Sequence, residues 1–342
     1  MGDEAKGLLD RAVELLARLY DAVGLNGTRL RWRWNQRRRD LGEAGMRAEM
    51  FARSTRGSYK MCPSCRALVP RSARTCSECG ARLSAVRAPG LTRAVQNLIP
   101  GATATTGVIL GVNTILFAVM LMIPVNVPGE EPGSPFARLW GFDGYTLIRY
   151  GSGYAPLTIF LHEAWRIVTP VFLHAGIIHF AFNSMALVQL GPLVEEEYGT
   201  ERLAAIYLAC GIAGSAASQY LRHSHTVGAS GAICGLLGLL LVHGYRMGGA
   251  YGTRLRSAMM QNILIMGVLS FVVPRIDWMN HLGGLAMGAL LGLVVPAGPF
   301  RSRGTEGLWQ ILAWGAVAIA LASFWMMAGH GMADVQMVLS QG

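Results

Sequence analysis

The chain has 342 residues, 52% of them hydrophobic and only 15% charged, and a mean hydropathy of +0.36. Soluble domains carry roughly 25% charged residues, so an ordinary cytosolic globule, a disordered chain and a disulfide-rich secreted domain are all excluded. The net charge of +10 sits wholly in the N-terminal quarter, with 19 Lys/Arg against 9 Asp/Glu in residues 1–98 and 11 against 11 beyond.

Residues 1–60 read as a cytoplasmic amphipathic helix followed by a basic arm. Leu8, Leu9, Ala12, Val13, Leu16, Leu19, Tyr20 and Val23 recur at helical spacing, with Asp10, Arg11, Glu14 and Arg18 on the other face. The mixed sign of that polar face favours packing against a partner helix or a neighbouring domain over lying on lipid. The run from Arg29 to Arg39 interleaves arginines with Trp32 and Trp34. Nucleic acid and an anionic membrane surface both attract such a run. Beside a membrane domain it reads as a positive-inside topology signal on the cytoplasmic lipid face. Residues 1–10 are charged, and no short apolar stretch with a small-residue cleavage site follows, so the N-terminus is expected to stay in the cytoplasm.

Residues 61–84 carry four of the six cysteines as two CxxC pairs, Cys62/Cys65 and Cys76/Cys79, with Gly80 after the second. Two such pairs supply four thiolates to one tetrahedral Zn²⁺, with a redox dithiol as the alternative, and a reducing cytoplasm favours metal over disulfides. The spacer between the pairs is shorter than is usual for this pattern, yet long enough for a short hairpin between two knuckles. The arrangement resembles the small zinc-ribbon modules appended to many bacterial proteins. With no histidine or further cysteine to leave an open position, the zinc is expected to be structural. Cys210 and Cys234 lie in apolar runs and read as packing residues. Residues 85–100 form a linker.

Beyond residue 100 the chain breaks into long stretches without Asp, Glu, Lys or Arg. A membrane span needs about 20 apolar residues. Seven helices are predicted, near 102–123, 168–191, 202–221, 229–246, 257–273, 278–296 and 308–328, making an all-α multi-pass membrane protein. With the N-terminus inside, loop 124–167 falls outside, and Arg246, Arg254, Arg256, Arg301 and Arg303 fall on inner loops, as the positive-inside rule requires. The seventh helix then carries the C-terminus outside, with a short outer tail. The long first outer loop holds Trp140, Tyr145, Tyr150, Tyr154 and Trp165 and reads as a structured element in the interface.

Polar residues within spans are functional candidates. The second span holds His174, His179 and Asn183. The fourth opens on Gly228-Ala229-Ser230-Gly231, and the sixth on Asp277, Asn280 and His281, followed by Gly283, Gly284 and Gly288. Glycines flanking Ser230 permit a tight turn that exposes its hydroxyl. A helix N-terminus there favours a developing anion. Ser230 and His281 lie near the outer ends of helices running the same way. Facing glycines on those helices would bring the two side chains within hydrogen-bond reach. His179 and Asn183, four residues apart, point the same way and can donate to an oxyanion.

Taken together, Trp165-Arg166, His179-x3-Asn183, Gly228-Ala229-Ser230-Gly231 and His281-x2-Gly284-x3-Gly288 resemble the rhomboid family of intramembrane serine proteases over residues 101–300. The resemblance implies a six-helix core with a Ser–His dyad and no acidic third member. It makes Ser230 the nucleophile, His281 the general base, and His179, Asn183 and the Ser230 amide the oxyanion hole. Residues 301–342 resemble the extra helix of the family's six-plus-one variant. Two departures stand out. Cys234 occupies the position where members commonly place an aromatic beside the catalytic histidine. Asp277, one turn before His281, is read as an interfacial residue and not as a triad acid.

The resemblance implies a multi-pass enzyme of the cell membrane that hydrolyses peptide bonds in or next to transmembrane segments of other membrane proteins. Such an enzyme needs a water-filled cavity open to the outer side and no cofactor for the chemistry. The partner of the ribbon is not specified by its residues. An alternative is a catalytically inactive relative that binds transmembrane helices, against which the intact set of motif residues counts. A transporter would call for intramembrane carboxylates on facing helices or an internal repeat.

Overall fold

The computed structural model describes residues 103–123, 125, 134–273, 276–298 and 303–341, together with 14, 59–61, 67–70, 73, 75–78 and 80 of the N-terminal region. The amphipathic helix (apart from Glu14, which is helical), the basic arm and the linker lie outside the described residues. So do Cys62, Cys65 and Cys79.

The N-terminal unit contributes a short antiparallel hairpin. Strand β1 (Tyr59–Met61) pairs with β2 (Leu68–Pro70), Lys60 standing opposite Val69. The strands therefore flank the first CxxC pair, where a hairpin between the two pairs was expected. Val69 and Cys76 are buried.

The second unit is helical. Helix α1 (Ala104–Met122) is followed by three short helices, α2 (Pro135–Trp140), α3 (Gly144–Arg149) and α4 (Ala155–Phe160). Two 3-10 turns, Ala164–Ile167 and Thr169–Phe172, lead to α5 (Ile177–Tyr198). Helix α6 (Thr200–Ala216) runs on through a π-turn, Ala217–Arg222. Then come α7 (Ser230–Met247), α8 (Gly249–Val272), α9 (Trp278–Val294) and α10 (Arg303–Gln341). A helix lies at each of the seven predicted segments. Among the described residues five helices, α1, α5, α7, α8 and α10, are long and apolar enough to cross a membrane. Helix α9 is apolar but shorter. The chain is a multi-pass membrane protein.

Five predicted boundaries move by five residues or more. The second span begins at Ile177, not near 168, because Thr169-Pro170 sets a 3-10 turn and Gly176 is fully extended, with φ 175° and ψ 176°. His174 consequently precedes the helix. The same span runs on to Tyr198 past Pro192 and the acidic run. The fifth span begins at Gly249, because Gly248 and Gly249 with φ of 62° and 60° make the whole turn. Arg254 and Arg256 are therefore helical. The seventh runs from Arg303 to Gln341, so Arg303 and the expected outer tail are helical.

Helix α7 is the centre of the bundle, buried along nearly its whole length and packed on α5, α6, α8 and α9. Leu236, Leu239 and Leu240 join Ile206, Tyr207, Leu187 and Val171 in the main apolar core. The tightest contact is with α9, and its cause is glycine. A methyl group on Gly284 would overlap the Gly231 carbonyl, and one on Gly288 the Gly235 carbonyl. Backbones in such contact gain dispersion and need no side chain between them.

The described part of the first loop, residues 134–167, is structured, as its aromatic content suggests. Ser134 caps α2 and Asp143 caps α3, its carboxylate accepting from the Thr146 amide at 2.7 Å. Arg166, fully buried, organises the rest. Its guanidinium donates to the carbonyls of Ile148 (2.9 Å) and Ser152 (3.1 Å), pairs with Glu163 (2.6 Å) and Asp334 (2.5 Å), and lies over the Trp165 ring. Burial pushes the Glu163 carboxyl above the usual carboxylate range, against the pull of Arg166. At the other end of the bundle Arg246 donates to the Gly292, Leu293 and Val295 carbonyls and so satisfies the end of α9.

Candidate active site

The site is built where α7 and α9 begin, beneath the first loop. An antiparallel bridge between Gly153 and Thr226 and a bond from the Gly228 amide to the Pro170 carbonyl (2.9 Å) hold the segment before α7 against that loop. Gly228 has φ +124°, and a methyl group there would press on the His179 ring. Only glycine suits both the backbone conformation and the space. The turn delivers Ser230 as the first residue of α7, where first-turn amides have no partner within the helix.

Ser230 Oγ lies 2.9 Å from His281 Nε2. The glycine contacts between α7 and α9 set this distance, because they fix the two helix axes close together and in register. Ser230 is buried and His281 partly so. The other ring nitrogen, His281 Nδ1, lies 2.8 Å from Ser270 Oγ on α8. Ser270 carries no signal in the sequence, since a lone serine in an apolar helix is usually bonded to its own backbone, as this one also is.

Asp277 stands one turn before His281 and accepts its amide at the backbone carbonyl (3.3 Å), but the Asp277 carboxylate does not bond the His281 ring. Its carboxylate accepts from the hydroxyls of Ser218 (2.5 Å) and Thr226 (2.8 Å) and from the Asn280 amide (3.2 Å), so it caps α9 and ties that helix to the turn before α7. This agrees with reading it outside the dyad, in a structural place.

His179 and Asn183 both lie beside the Gly228 turn. Asn183 Nδ2 donates to the His179 carbonyl at 3.0 Å, and one of its two protons remains for another acceptor. His179 Nδ1 faces the Ala175 amide at 3.4 Å, and Nε2 is turned toward Gly228. His174 is wholly buried, its ring edge-on to His179 at 5.4 Å and to Phe180 at 5.3 Å. It packs behind the site. Cys210 and Cys234 are buried. Among the described residues no group of three or more His, Cys, Asp or Glu side chains is placed to hold a metal ion. Three of the four ribbon cysteines lie outside that set.

The Rhomboid domain family matches residues 161–297, a stretch that holds Ser230, His281, His179 and Asn183. The chain is 41% identical over 162 residues to Rhomboid protease GluP of Bacillus subtilis, covering 46% of this chain and 32% of that one. It is 35% identical over 159 residues to RHOMBOID-like protein 1 of Arabidopsis thaliana, covering 46% and 41%. A second Bacillus subtilis protein named as a rhomboid protease, YdcA, is 38% identical over 136 residues, covering 39% of this chain and 67% of its own length. The protein belongs to the rhomboid family. It spans about a third of GluP and two fifths of the Arabidopsis protein.

Proposed function

We propose that the protein is a serine endopeptidase that cleaves peptide bonds in or beside transmembrane segments of other membrane proteins, using Ser230 as nucleophile and His281 as general base. One observation carries the reading: Ser230 Oγ and His281 Nε2 are 2.9 Å apart at the mouth of two helices packed glycine on glycine. As Oγ attacks the scissile carbonyl, its proton passes to Nε2, and the imidazolium then gives that proton to the leaving amine. Water, deprotonated by the same nitrogen, releases the acyl group and restores Ser230. A positioned base of this kind contributes about 10²–10⁴ in rate. The tetrahedral oxyanion is received by the Ser230 amide at the start of α7, with His179 and Asn183 alongside.

The reading places the site near the outer face, with the N-terminus inside and the C-terminus outside. It is supported by arginines at the opposite end of the bundle, Arg246, Arg254 and Arg256. In the N-terminal sequence, Cys62, Cys65, Cys76 and Cys79 would hold one structural Zn²⁺, a proposal that rests on their spacing. A fluorophosphonate probe tests the nucleophile. The purified protein should be labelled, and the Ser230→Ala variant should not. Equal labelling of both would remove Ser230 from the role. A wild-type protein that stays unlabelled yet binds transmembrane helices would favour a non-catalytic family member.

A further inference from the structure

Helix α8 presents most of its surface outward. Leu264, Ile265, Val268, Leu269, Phe271 and Val272 are all exposed. Beyond Met259 the one buried residue of this helix is Ser270, a polar one. A hydroxyl turned inward from an otherwise outward-facing apolar helix has a partner to meet, and here the partner is the histidine of the proposed dyad.

The Ser270 hydroxyl donates back to its own helix. Its Oγ lies 2.7 Å from the Met266 carbonyl and 2.8 Å from His281 Nδ1. The hydroxyl owns one proton, and a carbonyl can only accept. With that proton on the Met266 carbonyl, Oγ is left as an acceptor, and Nδ1 must carry the proton that it receives. A neutral imidazole protonated on Nδ1 has its lone pair on Nε2, facing the Ser230 hydroxyl at 2.9 Å. Asp277, the carboxylate nearest in sequence, is already engaged by Ser218, Thr226 and the Asn280 amide and does not fill this place.

We infer that Ser270 is a positioning residue for the base: through the chain Met266 carbonyl, Ser270 hydroxyl, His281 Nδ1, it fixes the ring plane and the tautomer that leaves Nε2 free to take the Ser230 proton. The inference rests on the proposed Ser230–His281 chemistry. When the ring becomes charged, Nδ1–H still donates to Oγ, and that bond to a charged donor is stronger than the one in the resting state. Ser270 therefore contributes more in the transition state than in the ground state, and its loss falls on kcat. It also makes the geometry of the base depend on where α8 stands, since the hydroxyl comes from that helix.

The test uses the full-length protein in liposomes, with cleavage of a transmembrane substrate and the rate of fluorophosphonate labelling as readouts. Ser270→Ala is expected to lower kcat roughly 10- to 100-fold, the worth of one hydrogen bond to a charged group. KM should stay near the wild-type value, and labelling should slow in parallel. Ser270→Thr, which keeps a hydroxyl able to bond the carbonyl four residues back, should restore most of the rate. Ser270→Cys, nearly isosteric and a weak acceptor, should fall between. It serves in place of Ser270→Ala if that variant does not fold. A Ser270→Ala or Ser270→Cys protein with wild-type kcat overturns the inference while leaving the dyad standing. So does a Ser270→Thr protein as slow as Ser270→Ala with an unchanged melting temperature. If wild type and Ser230→Ala are alike in cleavage and labelling, the proposed function and this inference fall together.

Discussion

Arg166 in the first loop and Asp334 near the end of the last helix form a buried ion pair of 2.5 Å, across 168 residues of sequence. Both side chains are withdrawn from solvent, at 0% and 4% exposure. Val335, beside Asp334, packs with Val125, Ile148 and Leu157. The end of α10 is therefore part of the scaffold of the first loop, and the loop in turn holds the Gly228 turn through Pro170 and Gly153.

Breaking that pair from the α10 side should be costly. Removing one partner of a buried ion pair typically destabilises by about 3–5 kcal/mol, because the other charge stays buried. Glu163 still faces Arg166, so Asp334→Ala should sit near the lower end of that range. Thermal unfolding in detergent should show a clear drop in Tm, matched by a chain truncated before Asp334. An unchanged Tm in both would mean that α10 is not part of the loop scaffold.

The glycine contact should be equally intolerant. Gly284→Ala and Gly288→Ala each set a methyl group on the backbone of α7. Overpacking in a rigid contact costs about 1–3 kcal/mol. The two helices must move apart to relieve it, and the Ser230–His281 distance opens. Activity should therefore fall further than stability does. A control at Gly267, where nothing lies within 4 Å of an added methyl group, should leave both unchanged. Full activity in Gly284→Ala would show that the dyad is aligned by something other than this seam.

His179 and Asn183 can be separated from plain packing by kinetics. Loss of one oxyanion donor typically lowers kcat by about 10²–10³. His179→Ala and Asn183→Ala should each lower kcat by up to that amount, since the remaining donors mask part of the loss. The measurement is kcat and KM on one transmembrane substrate. Unchanged kcat in both variants would place the oxyanion donors elsewhere.

The N-terminal unit makes a separate prediction. Metal analysis of the full-length protein should find one Zn²⁺ per chain, and Cys62→Ser with Cys79→Ser should abolish it. Proteolysis should persist after chelation, because every proposed catalytic residue lies beyond residue 165. A metal-free full-length protein would refute the ribbon.

Much of this arrangement is legible before any coordinates. Each of the seven apolar runs falls on a helix, since a charge-free stretch of span length has few alternatives. Ser230 and His281 announce themselves through the glycines around them, because close helix packing leaves a pattern in sequence. What stays hidden depends on tertiary contact. Ser270 carries no local signal, and only the approach of α8 to α9 reveals its partner. Asp334 looks like a tail residue until the last helix is seen to reach Arg166. The early start of α8 is hidden by Arg254 and Arg256, whose charges read as loop although Gly248 and Gly249 alone make the turn. The start of α5 at Ile177 is masked for the opposite reason, since Val168 to Ala175 is apolar enough to read as helix while Pro170 and Gly176 shape it otherwise.

The central claim is that Ser230 and His281 act together as one catalytic unit. The most direct measurement is cleavage of a transmembrane substrate in liposomes by the wild type, Ser230→Ala, His281→Ala and the double variant, with products identified by mass. The account predicts specific cleavage by the wild type alone and no further loss in the double variant beyond either single one. Cleavage by folded His281→Ala near the wild-type rate would contradict it.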